Sequence, residues 1–62
     1  MKYKVSFWLY ADGRRWKQVS YVVSLPDPAL GRTWAIGVAY NLLYSEYDRN
    51  IGNELYDIKE VI

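Results

Sequence analysis

The stretch Lys2-Tyr3-Lys4-Val5-Ser6-Phe7-Trp8-Leu9-Tyr10, closed by Ala11-Asp12-Gly13 and followed by the strand-like run Arg15 to Leu25, decides how this chain folds. Tyr3, Val5, Phe7 and Leu9 fall on one side of an alternating pattern, and Lys2, Lys4, Ser6, Trp8 and Tyr10 on the other. Period-two alternation rich in β-branched and aromatic residues predicts a strand with one buried face. Asp-Gly between two such runs predicts a hairpin.

Two registers compete, and a slip of one residue turns every side chain over. A two-residue Asp12-Gly13 loop pairs Leu9 with Trp16 and sets Gln18 and Ser20 beside Phe7 and Val5. A three-residue Ala11-Asp12-Gly13 loop, with a left-handed Gly13 in a bulge, closes on Tyr10 and Arg14. Val5 then faces Val19, Tyr3 faces Tyr21 and Trp8 faces Trp16. The second register keeps the apolar sets together and is the expected one.

Leu25-Pro26-Asp27-Pro28 ends the hairpin, because proline holds its predecessor extended and Asp27 before Pro28 has the form of an N-cap and first helical residue. With Gly31 interrupting this first turn, the regular helix is expected over about 33–49, with Asn50 and Gly52 as stops. A last strand is expected over 54–62, with Tyr56, Ile58 and Ile62 alternating against Asp57 and Lys59. The first strand is apolar without exception on its core side and belongs at the centre. The expected fold is therefore α+β: one ββαβ domain over 1–62, strands at about 2–10, 15–25 and 54–62, a three-stranded antiparallel or mixed sheet ordered 3-1-2, and the helix packed on the Tyr3, Val5, Phe7 face.

At 62 residues the chain buries only about 60% of the surface its unfolded form exposes, so such a domain is marginal alone. It has no cysteine and no histidine, which excludes disulfides, thiolate metal sites and the commonest general base. Idealised packing or self-association is left to stabilise it. A hydrophobic share of 52% and an aromatic share of 18% are far above those of a disordered chain. The net charge is +1, with five basic against two acidic side chains in residues 1–30 and three against five in residues 31–62. No apolar run approaches the 18 or so residues that span a bilayer, and the N-terminus lacks the basic and apolar regions of a signal peptide. The expectation is a cytoplasmic protein, not in a membrane.

The helix carries the first functional signal. Trp34, Ala35, Val38, Ala39 and Leu42 supply the stripe a single sheet can cover, yet Ile36, Tyr40, Leu43, Tyr44 and Tyr47 are apolar as well. A helix apolar nearly all round is normally buried nearly all round. The second set is thus expected to serve self-association as a homodimer, although tyrosines also tolerate partial exposure. The open face of the sheet is the second signal. It is expected to show Trp8, Tyr10, Trp16 and Gln18, with Lys4 and Arg14 nearby, as a partner-binding surface. Aromatics among basic residues on an open sheet also suit a single-stranded nucleic acid, while a cross-strand Trp pair is an ordinary stabiliser. The long edge from Arg15 to Leu25, guarded by Lys17, could add a partner strand.

Catalysis is not expected. Glu46 with Asp48, or Glu54 with Asp57, could pair as hydrolytic carboxylates, but each lies where solvated acids are routine. Gly13, Gly31, Gly37 and Gly52 do not have a phosphate-cradling spacing. No cofactor or metal is called for. The order of strand, Asp-Gly hairpin, strand, alanine-containing helix ending in tyrosines and final strand resembles small phage-encoded inhibitors of host enzymes, such as the RNA polymerase inhibitor of T7-like phages. The likeness covers the whole chain as architecture and no sequence motif. Those binders are acidic and this chain is not, so no functional residue is carried over. The resemblance implies a phage or mobile-element accessory protein that binds and modulates or inhibits a host protein; a structural subunit of a larger assembly is the remaining expectation.

Overall fold

Five segments take regular structure in the computed structural model, which describes residues 1–61: β1 (Lys2–Ala11), β2 (Arg14–Ser24), a 3₁₀ turn (Pro28–Leu30), α1 (Gly31–Glu46) and β3 (Gly52–Val61). The sheet runs β2-β1-β3, which is the expected 3-1-2 read from the other edge, and both neighbours are antiparallel to β1. Ile62, expected in the last strand, lies outside the described residues.

The hairpin takes neither expected register. Its loop is the two residues Asp12 and Gly13, both left-handed (φ 53° and 75°), so Ala11 pairs with Arg14 and Tyr10 with Arg15. The ladder then slips, and Leu9 pairs with Lys17, Trp8 with Gln18, Phe7 with Val19 and Val5 with Tyr21. Trp16 is the extra residue. A bulge there turns the rest of β2 over, so Val19, Tyr21 and Val23 join the core that a plain two-residue hairpin would have given to Gln18 and Ser20. The expected Val5–Val19, Tyr3–Tyr21 and Trp8–Trp16 pairs do not form.

A second bulge interrupts the other side of β1. Val5 pairs with Ile58 and Ser6 with Asp57, but Phe7 pairs with Leu55, leaving Tyr56 extra. Ile58 and Leu55 therefore face the core side together, while Tyr56, expected beside Ile58, turns to the open face. The cause is the same: one added residue shifts the phase of a period-two pattern.

Asp27 caps the 3₁₀ turn, its carboxylate accepting from the Ala29 N–H at 3.0 Å. The α-helix begins at Gly31 rather than near Thr33 and ends at Glu46 rather than 49. Tyr47 is already extended, and Asp48 starts a new turn by accepting from the Asn50 N–H at 2.8 Å. Such a side-chain turn offers the backbone an alternative to another helical residue.

The core consists of Val5, Phe7 and Leu9 in β1, all without exposed surface, together with Tyr3, Val23, Leu25, Ala35, Ala39 and Leu43. Two alanines a turn apart bring the helix close to the sheet. Phe7 fills the space beside them, its ring 4.9 Å from Tyr40 and 6.3 Å from Tyr21. The helix packs over β1 and β2. Only its end leans toward β3, where the Asn53 amide donates to the Tyr44 hydroxyl at 3.4 Å.

Candidate interaction surfaces

On the open side of the sheet, alternation from β1 brings Lys4, Ser6, Trp8 and Tyr10 together with Gln18 and Ser20 of β2. Trp8 is the centre of this face and is already occupied. The Arg15 guanidinium lies 5.0 Å from its ring centroid, and Tyr56 meets it edge-on at 6.1 Å. Glu54 holds Arg15 in place: one carboxylate oxygen accepts from Arg15 at 3.1 Å and from the Tyr10 hydroxyl at 2.9 Å. Gly52, opposite Tyr10, makes room for this arrangement, since a Cβ there would lie 3.1 Å from that of Tyr10. Ser6 and Ser20 bond to each other at 2.9 Å, and Lys4 stands opposite Lys59.

Trp16 and Arg14 do not belong to this cluster. Trp16 packs edge-on against Tyr47 at the end of the helix (6.5 Å), with the Lys17 ammonium 5.7 Å from both rings. Arg14, opposite Ala11, takes the side away from Tyr10 and Arg15. The two tryptophans expected as a stacking pair thus serve separate clusters, one on Arg15 and one on Tyr47. Arg15 was missed because the two-residue loop, not the expected three-residue one, sets it opposite Tyr10, and Glu54 and Tyr56 because only the bulge in β3 brings them to Trp8. The acidic pairs noted in the sequence are engaged singly: Glu54 on Arg15, Asp48 in its own turn, and Asp57 3.9 Å from Lys59.

The helix is rotated from its expected orientation. Leu43, assigned to the outer side, is fully buried, whereas Trp34 and Leu42, assigned to the core stripe, are 36% and 39% exposed. Ile36, Tyr40 and Tyr44 lie along one flank, half-buried, with Tyr40 and Tyr44 stacked at 5.8 Å; Tyr47 is likewise half-buried. The exposed side runs through Trp34, Gly37, Asn41, Leu42 and Ser45. A shallow depression of about 390 Å³ is lined there by Trp34, Gly37, Val38 and Asn41. The sequence does contain the signal for this rotation. Gly37, Asn41 and Ser45, four residues apart, mark the solvent direction, and Ala35, Ala39 and Leu43 are then its opposite.

That exposed side has an unusual electrostatic character. Between Thr33 and Ser45 the helix has no charged residue at all, although its outward positions face water. Among the described residues, no three acidic side chains gather as a metal site, and no helix is long and apolar enough to cross a membrane. Comparison of the chain with protein-family models, curated proteins and solved structures finds no match.

Proposed function

We propose that this chain is a small, non-enzymatic protein-interaction module that works by occupying a surface of another protein. The observation that carries this reading is the charge-free outer side of α1, where Trp34 and the depression over Gly37 and Asn41 lie together. A solvated helix face normally carries charged and polar residues, and an apolar exposed face marks a contact site. A tryptophan beside a hollow is also the kind of anchor on which binding energy concentrates. Through its resemblance to phage inhibitors the reading extends to an accessory protein that modulates or inhibits a host protein, in the cytoplasm.

The test is capture of a partner from the cytoplasm of the source cell by the tagged chain. Trp34→Glu and Asn41→Arg should each abolish capture while circular dichroism stays unchanged, because both positions are on the outer side. Capture that is indifferent to both substitutions would overturn the assignment of this face. A nucleic-acid role is the competing reading, with Lys4, Lys59 and Arg15 as the basic groups of the open face. It would show as quenching of tryptophan fluorescence by an oligonucleotide at low salt, lost steeply as salt rises.

A further inference from the structure

We infer that the chain pairs with a second copy of itself along the free edge of β2, antiparallel about Tyr21, making one six-stranded sheet with the two helices side by side. This rests on the reading of the helix as a contact surface and names what covers one flank of it.

The edge comes first. β2 is the outer strand of the sheet, and its charges are confined to one end, at Arg14, Arg15 and Lys17. From Gln18 to Ser24 the strand is Gln-Val-Ser-Tyr-Val-Val-Ser, with no charge, glycine or proline. Edges are normally guarded by such residues, and an unguarded one is a template for another strand. The charge-free segment is centred on Tyr21. A two-fold axis at that residue pairs all seven positions with one another: Gln18 with Ser24, Val19 with Val23, and Ser20 with Val22. It also carries the basic end of each copy past Leu25 of the other, toward the acidic Asp27. An axis shifted toward the hairpin would bring Lys17 into the paired segment, opposite Val23 or Tyr21, instead of leaving it beyond the strand end opposite Leu25.

The helix supplies an independent observation. Tyr44 reaches β3 through Asn53, so its flank faces that way, and the opposite flank, with Trp34, Val38 and Leu42, is turned toward β2. Strands are spaced by about 4.8 Å, and α1 packs on both β1 and β2, so its axis is taken midway between them. Two-fold pairing of the edges therefore sets the helix axes about 10 Å apart, within the range at which helices pack. The gap between them is then filled by Val38 and Leu42 of both copies. In a two-fold contact the residues nearest the axis meet their own kind, so a charge in the middle of the patch would face a like charge. The absence of charge from Thr33 to Ser45 leaves no such clash.

The 62-residue chain itself should be tested by sedimentation from micromolar to millimolar concentration, where a dimer of twice 7.3 kDa is expected. Because the chain has no cysteine, register can be read directly. Ser20→Cys mixed with Val22→Cys should give a disulfide-linked heterodimer under mild oxidation, far in excess of the linked homodimer from either variant alone. The double substitution Ser20→Lys/Val22→Lys sets lysine side chains directly opposite one another across the axis, twice, and should weaken the dimer at least tenfold, with the monomer's circular dichroism as control. A chain still monomeric at millimolar concentration overturns the inference, as does a dimer without the mixed cross-link. A dimer that resists the double substitution but is broken by Asn41→Arg also overturns strand pairing, while leaving the helix reading in place. Loss of partner capture in Trp34→Glu, with no dimer at any concentration, would likewise sink only the pairing.

Discussion

Tyr21 shows how much can hang on one side chain. Its ring packs on Phe7, and its buried hydroxyl lies near the Glu46 carboxylate without a well-formed hydrogen bond among the described residues. Burial raises its pKa above the ordinary tyrosine value, and the nearby Glu46 carboxylate adds to this. The folded state thus favours the neutral phenol. Its contribution to stability is complete below the unfolded tyrosine pKa, near 10, and is lost as pH rises through the higher folded value. Tyr21→Phe removes both the poorly satisfied hydroxyl and the titration. It should leave the urea midpoint at pH 7 unchanged or higher, and flatten its fall between about pH 9 and 11. An equally steep fall in the variant would show that other groups govern the alkaline limb. The hydroxyl's surroundings could not be read from the sequence, because they depend on which register the hairpin takes.

At the scale of the element, the two strands beside β1 each owe their phase to one bulged aromatic, Trp16 in β2 and Tyr56 in β3. Alternation located the strands to within a residue or two but could not place the bulges, because the pattern on either side of a bulge is locally regular. The helix carries a different lesson. Gly37 stands in its middle, a helical residue in which an added Cβ would meet nothing within 4 Å. Glycine in an exposed helix interior costs up to about 1 kcal/mol relative to alanine. Gly37→Ala should therefore raise the thermal midpoint of the isolated chain. A methyl group in the depression should at the same time weaken any partner held there. Stability and binding moving in opposite directions is the signature expected of a contact residue; a variant improved in stability with binding intact would free Gly37 from that role.

As a whole the molecule is thin, with extents of 38 × 18 × 14 Å and a radius of gyration of 12.0 Å, against about 10.5 Å for an ordinary compact domain of this length. One helix on one side of three long strands leaves little interior, and Leu43 is the largest helix residue fully inside it. Domains of this size have only about 3–9 kcal/mol of stability. Leu43→Ala, at about 2–5 kcal/mol, should remove a large part of that stability and lower the urea and thermal midpoints sharply. Leu42→Ala, one residue on in the opposite sense and outside the core, should retain the fold. Equal losses in the two variants would contradict the observed rotation of the helix.

The sequence by itself determined the order of elements, the central place of β1 and the class of fold, because period two, an Asp-Gly turn and a proline-flanked helix start are local properties. It also determined that the 62 residues offer no disulfide, thiolate or imidazole. Only the tertiary structure decided which sides of these elements face one another. Each strand had two possible phases, and a helix apolar nearly all round could present any of several stripes. The choice was made by packing: a bulge at Trp16 to bring Val19, Tyr21 and Val23 inward, and two alanines to let the helix close on Phe7. In consequence Trp8 and Trp16 are separated, Leu43 is buried, and the side of the helix that faces water is the one without charge.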